Sequence, residues 1–305
     1  MKYYFGLQFR ILNRSLRDFG LHPIVGYLLM AAAFVGLSLY LFSTTEFAEY
    51  LIILLAISTL LKQSETRRND FLKSCFSLKS YFRIRLIENI LITLPFLILL
   101  IFKDCYLSAA VLIPVSIMMA FLNFENKFQI TLPTPFYRRP FEFIIGFRNT
   151  FYIFFFSYFL TFMAISVGNF NLGIFALILV FVVCFTFYTS PENDFFVWIY
   201  ASGPKGFLFD KIKIALLHST ILSLPIVVSL GIFFTANLDA ILAFQALGYL
   251  YLTTVVLAKY SAFPDKMNLP QGFLLAFSLW LPPLLVGVIP YFYSLSIRRL
   301  NEILE

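Results

Sequence analysis

Charge is scarce in this chain, and so are the side chains most enzymes use for chemistry. Charged residues make up 13% of the 305 positions, against about 25% in an ordinary soluble domain. There are two histidines, His22 and His218, and three cysteines, Cys75, Cys105 and Cys184. The cysteines are scattered without metal-ligand spacing and read as filler. No H-E-x-x-H or G-x-S-x-G stretch occurs, and no pair of carboxylates marks a site, so metal-dependent and nucleophilic hydrolysis lack their parts. The segment "ASGPKGF" around Lys205 has a lysine after glycines. It lacks the spacing of a phosphate loop, however, and Gly206 stands where Ser or Thr would bind magnesium. The chain itself is therefore expected to be neither an ATPase nor a metal or cofactor enzyme. A cleavable leader is not expected either, because Arg10, Arg14 and Arg17 interrupt the apolar run after Lys2.

What is present in excess is oil. Hydrophobic residues reach 60%, and phenylalanine alone fills 40 positions. A water-soluble fold has nowhere to hide that much apolar surface, so much of it must face lipid. The fold class is an all-α polytopic membrane protein of about eight or nine transmembrane helices. Apolar runs place the spans near 22–43, 46–63, 86–102, 105–124, 144–167, 170–190, 213–235, 238–258 and 272–297. Residues 1–21 read as an interfacial amphipathic helix. In it Phe5, Phe9, Leu12, Leu16 and Phe19 recur at steps of three and four, beside a basic stripe of Arg10, Arg14 and Arg17.

The connections are of two kinds. Those at 43–46, 103–104, 168–171 and 236–237 are very short, and among them only Lys103 is cationic. Most of the 23 lysines and arginines lie instead in the N-terminal segment, in 62–85, in the linker 125–143, in 191–213 and in 259–270. The positive-inside rule then sets the N-terminus and the long loops in the cytoplasm of a multi-pass protein of the cytoplasmic (inner) membrane. In this setting the net charge of +7 reports loops rather than nucleic-acid binding. Nine full crossings would leave Arg298 and Arg299 outside, against the rule. Pro282, Pro283 and Pro290 offer a break that turns the last segment, 271–305, into a re-entrant or hairpin pair.

The two charged islands, 64–85 and 191–212, resemble each other. Asn69-Asp70-Phe71 matches Asn193-Asp194-Phe195, Lys79 matches Lys205, and Arg83-x-Arg85 matches Lys211-x-Lys213. "ITLPF" from Ile92 matches "LSLPI" from Leu222, which sets Pro95 against Pro225 and Glu88 against His218. With two spans before each island and two after, the chain reads as two parallel four-helix repeats, 22–124 and 144–258, plus a C-terminal hydrophobic segment.

In the first island Phe71, Cys75, Leu78 and Phe82 recur at helical spacing, with Lys73, Lys79 and Arg83 around them. In the second, Pro191 and Glu192 form a helix start, Phe195, Trp198 and Ile199 share a face, and Gly203-Pro204 ends the helix. Each island is thus expected to be a short helix at the membrane surface. Such a helix either tucks its aromatics into headgroups or docks a cytoplasmic partner.

An interfacial N-terminal helix, short outer turns and a charged helix between the second and third spans together resemble the membrane subunit of an ABC transporter, exporter type. The resemblance is one of topology across most of the chain, without a diagnostic signature. Exporters of this kind have six spans and one principal coupling helix, and this chain departs from both. The resemblance implies that Asn69, Asp70, Phe71 and Lys79, and Glu192, Asn193, Asp194, Phe195, Trp198 and Lys205, are the partner-coupling residues. The partners it implies are cytoplasmic ATPase subunits, which would carry ATP and magnesium, together with a second copy or another membrane subunit. An amphipathic or lipid-like cargo suits a path lined by aromatic and small residues, with Glu88 and His218 as candidate pathway residues. The alternatives are a secondary transporter, which would need charged residues near the midplane, and a membrane-embedded lipid-modifying or assembly protein.

Overall fold

The computed structural model describes residues 1–123, 134, 136, 141–200 and 203–304. Most of the linker expected at 125–143 lies outside them, and its last three residues belong to a helix. The described residues contain helices and no strands. The chain forms two compact units, Met1–Gln129 and Ile130–Glu305.

In the first unit, α1 (Lys2–Asp18) precedes α2 (Pro23–Thr44), α3 (Ala48–Gln63), the short α4 (Thr66–Cys75), α5 (Leu78–Phe102) and α6 (Tyr106–Phe121). Pro23 opens α2 at a position whose N–H would be unpaired anyway. α1 folds back on the start of α2, where the Tyr27 hydroxyl donates to Asn13 at 2.7 Å and Phe9 stacks on Tyr27. Tyr3, Leu7, Ile11 and Leu12 stay exposed, as on an interfacial helix, while Tyr4 is buried.

The expected stripe through Phe71, Cys75, Leu78 and Phe82 is divided between two helices. Phe76 is extended, and Ser77 begins α5. Phe71, Leu78 and Phe82 are all exposed. The face of α4 that packs inward carries Asn69 and Leu72 instead.

The second unit comprises α7 (Phe141–Val167), α8 (Phe170–Thr186), the short α9 (Asp194–Tyr200), α10 (Pro204–Phe233), α11 (Leu238–Ala262), α12 (Leu269–Trp280) and α13 (Leu285–Leu304). Gly203 has φ of 133°, a conformation costly for any residue with a Cβ, and Pro204 follows as the first residue of α10. The Gly203-Pro204 pair therefore starts the long helix. α9 has already ended at Tyr200. Its start also differs from expectation: Pro191 and Glu192 precede the helix, and the Asn193 side chain accepts from the Phe195 N–H at 3.1 Å.

Among the described residues, five helices are long and apolar enough to cross a membrane: Pro23–Thr44, Leu78–Phe102, Glu142–Val167, Pro204–Phe233 and Thr235–Ala262. Shorter apolar helices lie at Tyr106–Phe121, Phe170–Thr186 and Leu269–Trp280. Large side chains such as Leu28, Leu37, Phe155, Phe162 and Ile232 stand more than half exposed along these helices, as a lipid-facing surface requires. The chain is a helical membrane protein.

The last expected span, 272–297, is not one helix. A 3-10 turn at Pro282–Leu284 divides it. Two adjacent prolines remove two successive N–H donors, which an α-helix cannot sustain in its interior. Pro290 is accommodated inside α13.

Each unit contains one run of a long helix and a shorter one joined by a tight turn, a short helix, a long proline-containing helix, another tight turn and a further helix. α1 precedes this run in the first unit, and α12 and α13 follow it in the second. Buried amides stitch the long helices to their successors. Asn89 of α5 donates to the Ser116 carbonyl of α6 at 3.0 Å, and Gln245 of α11 donates to the Ser223 hydroxyl of α10 at 2.8 Å.

Candidate functional site

Each unit gathers its buried charge at the end opposite its tight turns, next to its short helix. In the first unit the centre is Arg85, on the second turn of α5 and fully buried. Its guanidinium donates to the Gln63 carbonyl, to the Ser64 hydroxyl at 2.7 Å and to the Met119 carbonyl at 3.0 Å. Gln63 ends α3 and Met119 lies in the last turn of α6. One cation thus satisfies the orphan carbonyls of two helices, at the ends where the helix dipole is negative.

Beside it, Arg68 of α4 donates to Glu88 at 2.6 Å and to the Tyr4 hydroxyl at 2.9 Å, and Tyr4 donates to Glu88 at 2.6 Å. This triad ties α1, α4 and α5 together. Burial and the neighbouring Glu88 carboxylate push the Tyr4 phenol up to about 12. Burial opposes the Arg68 charge, but the bond to Glu88 outweighs it and raises the guanidinium above its ordinary value. Asn69 is buried and donates to Asn123 at 2.7 Å, which fixes α4 against the chain just beyond α6.

The second unit solves the same problem with a four-charge cluster. Lys211 of α10 lies 3.0 Å from Glu142 and 2.6 Å from Glu192. Lys259 of α11 lies 3.1 Å from Glu142 and 3.0 Å from Glu192. All four contacts use one oxygen of each carboxylate, and the Tyr260 hydroxyl also donates to Glu192 at 2.9 Å. The Lys259 ammonium, 1% exposed, is flanked by the rings of Tyr188 and Tyr260 at 5.4 and 5.3 Å.

Two anions and two cations leave no net charge, which makes burial affordable. Burial raises the Glu192 carboxyl, but the Lys259 and Lys211 ammonium groups beside it outweigh that and hold it well below the usual carboxylate range. Burial drives the Tyr188 phenol well above its usual value. The cluster joins the first turn of α7, the α8–α9 connection, α10 and the end of α11.

The residues singled out in the sequence divide into two sets. Asn69 and Glu192 face inward and hold their short helices in place. Asp70 is exposed and pairs loosely with Lys73 at 3.8 Å. Phe71, Phe195 and Trp198 are 67%, 56% and 65% exposed, and Lys79, Asn193, Asp194 and Lys205 are also open or partly open. The outward aromatics and charges are therefore the accessible part of each island. Glu88 and His218 lie in different units with different surroundings. Glu88 belongs to the Arg68–Tyr4 triad, whereas the His218 ring sits 4.7 Å from that of Phe136 and 5.1 Å from that of Phe143.

Sequence reasoning missed Glu142, Lys259, Tyr4 and Arg68, and it placed Arg85 and Lys211 only as repeat matches. A signal was there: "TTVVLAKYSAF" and "FEFIIGF" each hold one charge in an apolar run, and such a charge demands a partner. Among the described residues no three metal-ligating side chains of His, Cys, Asp or Glu converge, and the two carboxylates that do meet are neutralised by lysines. The arrangement links helices to one another through short charged contacts. No family model, curated protein or solved structure matches this chain.

Proposed function

We propose that this protein is the permease subunit of an ATP-driven exporter. In this reading the spans move an amphipathic or lipid-like substrate, and separate cytoplasmic ATPase subunits hold ATP and magnesium. The observation that carries the proposal is the mounting of α9. Its outer face presents Phe195, Trp198 and Ile199, while Glu192, two residues before it, is bonded to Lys211 and Lys259 at 2.6 and 3.0 Å. A displacement applied to α9 passes through short charged contacts into α10 and α11, because packed helices move as near-rigid bodies. α4 has the same design, with Phe71 outward and Arg68 and Asn69 fastened inward. The matching order of elements in the two units supports descent from a duplicated four-span module. By the positive-inside rule the charged end of each module faces the cytoplasm.

Glu142, Glu192 and Lys259 lie at or beyond the ends of their helices, so this cluster favours a linkage over the midplane coupling residues of a secondary transporter. The test is to co-express the full chain with candidate ATPases and reconstitute the pair in liposomes. ATP turnover should be stimulated by the wild type and lost with Asp70→Arg or Asp194→Arg, at unchanged expression and thermal stability. Normal stimulation by the folded double variant would remove the coupling assignment. Failure of every ATPase to respond to the wild type would remove the exporter reading.

A further inference from the structure

We infer that α12 and α13 form a re-entrant hairpin, one that enters the membrane from the Lys259 end of α11, presents its apex to lipid acyl chains, and returns to the same side. Two hydrogen bonds fix its course. The Tyr251 hydroxyl donates to the Ser278 carbonyl at 2.6 Å, and the Ser296 hydroxyl donates to the Leu257 carbonyl at 2.8 Å. From Ala262 the chain therefore runs back along α11, turns at Pro282–Leu284, and runs forward again.

The opposite direction for α13 is excluded by chain length. It would set Leu285 beyond the end of α11, about 30 Å from Leu281, whereas four residues span at most about 14 Å. α13 packs along α11 through Leu285, Val288, Phe292, Ser296 and Leu300, spaced by three and four, and it also meets α9.

Depth follows from helix rise. With Ser296 level with Leu257, Leu285 is level with about Ala246, some 20 Å in from Lys259 and about 12 Å short of the start of α11. α12, with 12 residues, is about 18 Å long, against a hydrocarbon core of about 30 Å. α13 has 20 residues, but Arg298, Arg299 and Glu302 occupy its last turns, so its apolar part, 285–297, is only about 20 Å long. Each apolar arm is too short to cross and too apolar to stay outside. At the apex Trp280 is 77% and Val286 83% exposed, with Leu281 also open. Acyl chains of the leaflet at the Lys259 end are the occupant that this depth and surface select, since the apex stops short of the far interface. The hairpin also sets Arg298 and Arg299 on the same side as Lys259, which removes their conflict with the positive-inside rule.

Two measurements on the full chain test this. The sequence holds two tryptophans, so Trp198→Phe leaves Trp280 as the sole reporter in liposomes of phospholipids brominated at shallow or deep acyl positions. Quenching should be several-fold stronger with the deep bromines. In a background with Cys75, Cys105 and Cys184 changed to Ala, Asp265→Cys and Glu302→Cys should both react with an impermeant maleimide from one face of sealed, oriented vesicles. Labelling from opposite faces would establish a full crossing and overturn the hairpin. Strongest quenching by shallow bromines would mean a pair lying on the surface, and absence of quenching would mean an apex covered by protein; either result overturns the lipid assignment. Both measurements are independent of any ATPase partner.

Discussion

Replacing Lys259 with methionine tests the four-charge cluster directly. Methionine approximates the length of the aliphatic stem and removes only the ammonium. The substitution deletes contacts of 3.1 and 3.0 Å to Glu142 and Glu192 and the approach of the cation to two tyrosine rings. It leaves two carboxylates, 6% and 13% exposed, to share Lys211. Stranding one partner of a buried ion pair costs about 3–5 kcal/mol. The paired change Lys259→Met with Glu142→Gln restores neutrality, so its cost should fall to about 1–2 kcal/mol, the range of a few weakened buried hydrogen bonds. A double-mutant cycle should therefore give a coupling energy of about 2 kcal/mol or more. The assay is reversible unfolding of the purified protein in mixed micelles, followed by tryptophan fluorescence and circular dichroism. Strict additivity of the two changes, or a loss under about 1 kcal/mol for Lys259→Met, would refute the view that these ions hold the second unit together.

Other expectations follow from the same reasoning. Arg85→Met removes one of two donors to each of the Gln63 and Met119 carbonyls, which keep bonds from Arg68 at 3.0 Å and from the Ser64 hydroxyl at 3.1 Å. It should cost about 1.5–3 kcal/mol, the worth of hydrogen bonds to a charged group. Arg85→Lys should recover little, because one ammonium lacks the planar fork that reaches two helix ends; unfolding midpoints of the three proteins check this. Tyr4→Phe should loosen α1, seen as faster amide exchange there, at a cost of about 1 kcal/mol. The Tyr4 phenol also carries a pH dependence. With its pKa raised from an ordinary 10.0 to about 12, the stabilisation from the neutral phenol is complete below pH 10 and is lost as pH rises toward 12. The ultraviolet difference titration of wild type minus Tyr4→Phe should show one tyrosine ionising near the top of that interval. Gly248→Ala would drive a Cβ into the Phe181 ring and should cost about 1–3 kcal/mol through overpacking. Adding Phe181→Leu should relieve much of it, as thermal unfolding will show.

Apolar runs and tight turns disclosed most of the helices, because lipid imposes a length on each of them and leaves little ambiguity of period. The two islands and the proline break near 282 were legible for similarly local reasons. The stripe at 71–82 misled because its spacing runs unbroken across Phe76-Ser77, where the helix stops and restarts. Ser77, a good residue to begin a helix, was the sign of that break. The ion networks were harder to see. Periodicity reports which face of a helix is oily and says nothing about which distant charge will meet it. Glu192 looked like part of a helix start, yet it turns inward to two lysines, one 19 and the other 67 residues further on. Asn69 looked like a partner contact, yet it is buried and its amide nitrogen donates to Asn123.

The wide spacing of the second cluster bears on how the protein is made. Glu142 and Lys259 are 117 residues apart, with Lys211 between them. As the nascent chain emerges, both glutamates are synthesised before either lysine. The first counter-ion arrives with α10, and the second only when α11 is nearly finished. A ribosome stalled between Lys211 and Lys259 would therefore leave a half-made bundle carrying one uncompensated negative charge, a natural handle for membrane quality control.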